Sequence, residues 1–140
     1  MKKIICLIFV CLILAGCKSE PAPVQQVVQP KPIILGIEII EKTIHNYIGG
    51  SKPEGKYVGV EVKVINAGEE TVKISNNEVY LKDNGNKYPI DPLVSYYRED
   101  RFSEIEIRPE NEIILKLAFD VPEPNKDFKL YIKGKSADVK

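Results

Sequence analysis

Between Ile113 and Val121 every second residue is large and apolar. Ile113, Leu115, Leu117, Phe119 and Val121 share one parity, against Ile114, Lys116, Ala118 and Asp120. Successive side chains leave an extended strand on opposite sides, so this period of two predicts a strand with one buried face. The segment from Tyr57 to Asn66 repeats the pattern, with Val58, Val60, Val62 and Val64 on one side and Gly59, Glu61 and Lys63 on the other. Shorter stretches follow the same rule. Ile37 and Ile39, with Ile33 and Leu35, predict a first strand; Val72 and Ile74, Val79 and Leu81, Ile105 and Ile107, and Phe128, Leu130 and Ile132 predict four more. No stretch has convincing helical periodicity, and only a short helical turn is expected near Pro92–Tyr96.

Residues able to reverse the chain separate these segments. Asp83-Asn84-Gly85-Asn86 offers side chains that accept positive φ, as a tight hairpin needs. Asn66-Ala67-Gly68-Glu69 and Pro109-Glu110-Asn111 also read as turns. Asp91-Pro92 and Val121-Pro122-Glu123-Pro124 end strands, because proline cannot donate to a ladder. Six to eight one-faced strands must bury their apolar sides against a second layer. The expected fold is all-β, an antiparallel sandwich of about seven strands over residues 33–140, with a small closed barrel as the competing architecture.

The amino-terminal end has a different character. Met1-Lys2-Lys3 precedes an apolar run from Ile4 to Leu14, too short for a membrane-spanning helix, which needs about 20 residues. A basic start, an apolar stretch and small residues before a cut make a secretory signal. Leu14-Ala15-Gly16-Cys17 resembles the cleavage box of bacterial lipoproteins. That resemblance implies removal of residues 1–16, a lipid on the Cys17 thiol, and an extracytoplasmic domain held to a bacterial membrane. Cys6 and Cys11 would leave with the signal, so the domain has no disulfide and relies on its core. Residues 17–32 carry the anchor and a tether. Pro21, Pro23, Pro30 and Pro32 disfavour helix and sheet, and about 15 extended residues reach on the order of 45 Å.

The strand and turn residues together resemble a known family. Gly55-Lys56-Tyr57-Val58 opens a valine-alternating strand that ends in Asn66-Ala67-Gly68-Glu69-Glu70. Val79-Tyr80-Leu81-Lys82-Asp83-Asn84-Gly85-Asn86 comes next, then Ile107-Arg108-Pro109-Glu110-Asn111-Glu112, Phe119-Asp120-Val121-Pro122 and Phe128-Lys129-Leu130-Tyr131-Ile132. Order and spacing over roughly residues 35–134 resemble the telokin-like, immunoglobulin-fold domains of bacterial lipoproteins and secreted proteins, most of them of unknown function. The resemblance implies an immunoglobulin-like sandwich and no catalytic residues. Glu110 stands where glycine commonly follows the turn proline.

Charge and motifs narrow the function. Basic and acidic residues both number 20, and loss of residues 1–16 removes Lys2 and Lys3, leaving 18 against 20 and a formal charge of −2. A phosphate-binding surface has a basic excess, so nucleic acid is not an expected partner. No G-x-S-x-G, H-E-x-x-H or P-loop is present, and no catalytic residue, cofactor or metal is expected. A calcium loop starting at Asp83 fails, with Gly85 at its third position and Val94 at its twelfth. His45 is the single histidine. Glu41 lies four residues before it on a segment read as strand, with no helical face to join them, so His45 reads as a surface residue.

The best binding candidate is Val94-Ser95-Tyr96-Tyr97-Arg98-Glu99-Asp100-Arg101-Phe102. Tyr and Arg offer large contact area and directed hydrogen bonds, and Tyr97, Arg98 and Arg101 are the expected exposed contacts for a protein or glycan. The competing role is structural, with Tyr96 or Phe102 plugging the sandwich edge. The function expected is a non-catalytic binding or adaptor module; the alternative is a structural or assembly component of the cell envelope.

Overall fold

A computed structural model describes residues 31–97 and 100–140. Cys17 and the residues up to 30, where a signal and a tether are expected, lie outside the described residues. The fold is an all-β antiparallel sandwich, with eleven strands among the described residues rather than about seven. They are β1 (Leu35–His45), β2 (Lys56–Asn66), β3 (Val72–Ser75), β4 (Val79–Lys82), β5 (Lys87–Pro89), β6 (Tyr96–Tyr97), β7 (Asp100–Arg101), β8 (Glu104–Ile107), β9 (Glu112–Val121), β10 (Phe128–Ile132) and β11 (Lys135–Val139). One sheet has the order β1-β2-β9-β6-β7, a second β11-β10-β4-β5, and β3 pairs with β8.

The long valine and leucine rows form the centre. Val58, Val60, Val62 and Val64 lie opposite Phe119, Leu117, Leu115 and Ile113. Against them pack Val79, Leu81, Phe128, Leu130, Ile132 and Val139 of the second sheet, in one cluster with Ile74, Ile107 and Phe102. The residues expected to fill the core, Val60, Val62, Val64, Leu115, Leu117, Phe119 and Leu130, are all at most 2% exposed. At about 1.5–3 kcal/mol for each fully buried aliphatic or aromatic side chain, these rows dominate the stabilisation.

Several local features differ from expectation. β1 runs on to His45, because an extra residue, Ile40, is inserted between the pairs Ile39–Val62 and Glu41–Glu61. Such a bulge reverses which parity faces the core. Leu35, Ile37 and Ile39 lie opposite Asn66, Val64 and Val62 on the inner side, whereas Glu41, Thr43 and His45 lie opposite Glu61, Gly59 and Tyr57 on the outer side. The turn Asp83–Asn86 uses no positive φ; instead the Asp83 carboxylate accepts the Asn86 N–H at 3.0 Å and the Tyr88 hydroxyl at 3.0 Å. A two-residue reversal of the positive-φ kind occurs at Lys133-Gly134 (φ 48° and 78°), which returns the chain as the unexpected strand β11. Residues 92–94 form a turn closed by the Val94 N–H on the Asp91 carbonyl, not a helix, and the one 3₁₀ turn described is Asn76–Glu78.

Candidate functional site

The outer face of the five-stranded sheet is built in rows by its register. Glu41, Glu61, Lys116, Tyr96 and Arg101 are successive neighbours across β1, β2, β9, β6 and β7. One step along the strands, Thr43, Gly59 and Ala118 form the next row, and His45, Tyr57 and Asp120 form the one after it. Two small residues side by side between larger neighbours leave a trough. Val94 from the turn before β6 and Ile48 from the β1–β2 connection pack over Ala118 and Tyr57 at its margin. The hollow measures 370 Å³ and is lined by residues from all three rows, within the size of small-molecule sites.

Each wall has a local cause. A Cβ at Gly59 would sit 2.5 Å from Thr43 Oγ1 and 3.5 Å from the His45 ring, so only glycine lets these side chains settle onto the sheet. His45 Nε2 and Thr43 Oγ1 share a hydrogen bond of 2.9 Å. Ser95 is fully buried, and its Oγ accepts the Ala118 N–H at 3.0 Å, fixing the start of β6 against β9. Tyr57 is 2% exposed and donates its hydroxyl to Asp91 Oδ2 at 2.7 Å. Burial first, then that bond and the nearby carboxylates of Asp91 and Asp120, push its pKa up to about 12. Asp120 accepts the N–H groups of Glu54 and Gly55 at 2.7 and 3.0 Å, holding the β1–β2 connection down at one end of the trough. A Cβ on Gly55 would collide with the Val121 carbonyl.

Charge runs along the first row in order. Glu41 and Glu61 lie directly opposite each other, an unfavourable arrangement for like charges. Lys116 Nζ reaches Glu61 at 3.7 Å, with side-chain exposures of 69% and 28%. Beyond Tyr96 comes the exposed Arg101. This row is therefore anionic at the β1 side and cationic at the β6–β7 side, with an apolar floor beside it.

The expected contact residues divide. Arg101 is exposed on β7, opposite Tyr96. The Tyr97 backbone pairs with Asp100 and Leu115. Arg98 lies outside the described residues. Phe102 is 1% exposed and belongs to the core, and Tyr96 is half-buried at the trough, so part of this segment is structural. Sequence reasoning overlooked Glu41, Thr43 and Glu61 and set His45 apart from Glu41 for want of a helix. Residues i, i+2 and i+4 share a face on a strand as well. The usable signal was Gly59 and Ala118, two small residues at outward positions in otherwise bulky rows.

Two other hollows, of 380 and 530 Å³, flank the Asp83–Asn86 turn; the first is walled about equally by polar groups and by Phe128 and Tyr131, the second mainly by polar groups. Asp83 is committed to the turn itself, and the Asn86 N–H, followed by Tyr88, holds its carboxyl below the usual value despite partial burial. Among the described residues no group of three or more His, Cys, Asp or Glu side chains is placed to hold a metal, and no helix is long and apolar enough to cross a membrane.

A family model described as a domain of unknown function, DUF4352, matches residues 25–139. No curated protein and no solved structure matches the chain.

Proposed function

The chain belongs to the DUF4352 family of domains of unknown function, and we propose that it is an extracytoplasmic, membrane-anchored, non-catalytic binding module that takes its ligand on the outer face of the five-stranded sheet. The observation that carries this reading is the trough over Gly59 and Ala118, bordered by the ordered charges of Glu41, Glu61 and Lys116. Concave surface with a few directed polar groups is what small-ligand and peptide sites require. The hairpin of β6 and β7 continues the same face, so Arg101, opposite Tyr96, would add a contact at its rim. The resemblance of Leu14–Cys17 to a lipoprotein box supports the anchor at Cys17.

The test is in-cell crosslinking from position 48, at the trough margin, with identification of what is captured. Replacing Lys116 and Arg101 with Met and Ala should lower capture of that species at least about tenfold, or about 1.4 kcal/mol, with little change in melting temperature. Undiminished capture by the double variant would remove the trough from the binding surface. A triple Ala variant at Tyr97, Arg98 and Arg101 that melts early but captures normally would assign that hairpin to stability alone.

A further inference from the structure

The geometry points to a short linear peptide with both termini free as the ligand of this trough, lying across the strands with its ammonium at Glu41 and Glu61 and its carboxylate between Lys116 and Arg101. The inference rests on the reading of the trough as the binding surface and adds the ligand's chemistry.

Three observations set that chemistry. The first is the charge order of the row, acid, acid, base, aromatic, base, read directly from the pairing of five neighbouring strands. A ligand of one sign would be attracted at one end and repelled at the other, whereas a ligand with separated opposite charges gains at both. The second is the opposed Glu41–Glu61 pair. Lys116 reaches Glu61, and among the described residues no ion pair is formed by Glu41, so an added cation there relieves repulsion already in the fold.

The third observation is length. Strands lie about 4.8 Å apart, so the span from between Glu41 and Glu61 to between Lys116 and Arg101 is roughly 12 Å. An extended peptide advances about 3.4 Å per residue, which matches three or four residues. Its middle would pass over Ala118 and beside Val94 and Tyr96, where small apolar side chains fit the 370 Å³ hollow. Arg can grip a carboxylate in a fork, and the Lys116 ammonium supplies a second charge-assisted donor.

The experiment is calorimetric titration of the full-length protein in detergent with tetraalanine, N-acetyl-tetraalanine and tetraalanine amide. Free tetraalanine should bind saturably, and each capped form should bind at least about tenfold more weakly. Glu41→Gln should abolish the penalty for acetylation, and Lys116→Met should reduce the penalty for amidation, both in variants that still unfold cooperatively. Equal binding of free and capped peptides, or no binding of any form at millimolar concentration, overturns the inference. His45→Trp and Ala118→Leu separate this outcome from failure of the site. If they abolish capture of the crosslinked partner while tetraalanine does not bind, the trough stands and the peptide chemistry falls; if capture survives in folded variants, the trough itself is not the site.

Discussion

The side-chain amide of Asn66 donates to the main-chain carbonyl of Ile107 at 2.9 Å, tying the end of β2 to the end of β8. The same Nδ2 donates to the Glu70 carbonyl at 2.8 Å, and Oδ1 accepts the Gly68 N–H at 3.0 Å. Asn66 is fully buried, so each bond replaces one to water. Asn66→Leu should cost about 2–4 kcal/mol, because buried main-chain groups are left unpaired. Asn66→Asp should cost at least as much, since a carboxylate would face two carbonyls. Urea unfolding of the three proteins measures this, and a loss below about 0.5 kcal/mol would show that the clasp contributes little.

Glu110 has φ of 59°, in the left-handed region that favours glycine, while its N–H donates to the Asn66 carbonyl at 2.9 Å. Glu110→Gly should therefore stabilise the protein by about 0.5–1 kcal/mol, the relief of left-handed strain less the added entropy of the unfolded chain. A thermal melt that moves downward would contradict this.

Leu117 is 2% exposed and lies opposite Val60 at the centre of the core. Leu117→Ala should cost about 2–5 kcal/mol through lost burial and the cavity it leaves. Equilibrium denaturation reads the value directly.

Two groups with shifts of opposite sign contribute to how stability responds to pH. Lys133 donates to Glu78 at 2.8 Å, and this bond, aided by the Ser75 N–H against some desolvation, holds the Glu78 carboxyl below its ordinary 4.5. A depressed folded value contributes stability above the unfolded pKa that is lost as pH falls through the folded one. Melting temperature should thus decline on acidification below about pH 4.5, and less steeply in Glu78→Gln. Tyr57 has the opposite sign. Its folded pKa, raised from 10.0 to about 12, gives stability that is complete below pH 10 and lost as pH rises toward 12. Tyr57→Phe should flatten that alkaline decline.

Cys17 should carry the lipid. Mass spectrometry of protein taken from membranes should show a chain starting at Cys17 with added acyl mass, and Cys17→Ala should release the protein into the soluble fraction. An intact chain starting at Met1 would contradict the anchor.

The sandwich was legible because β2, β9 and β10 carry unbroken two-residue periods, and burial follows that period except at Tyr57, Gly59 and Ala118, where the outer face is covered. β11 was not, because its inward parity holds Lys135, Ala137 and Val139, too weak an apolar row to mark a strand, and its turn begins at a lysine in a left-handed conformation. The second half of β1 was hidden by Ile40, since one inserted residue turns a continuing strand into an apparent loss of pattern. The hairpin of β6 and β7 has only two residues per strand, below any detectable period. The trough escaped for a related reason. Its row of charges exists only across five strands, and a single strand shows one member of it at a time.

The inserted Ile40 has a second effect on β1, which lies at the edge of its sheet. A straight edge eleven residues long is a template on which another chain can add itself and start an aggregate. The insertion breaks that edge into Leu35–Ile39 and Glu41–His45 and bends the strand between them, so neither half offers a long regular run of free N–H and carbonyl groups. Ile40 and Ile44, 47% and 43% exposed, therefore sit where a hydrophobic edge would be most hazardous and least able to propagate. Solubility and recognition are thereby joined in one bulge: were Ile40 paired with Glu61 in regular register, the edge would run unbroken and Glu41, Thr43 and His45 would turn inward.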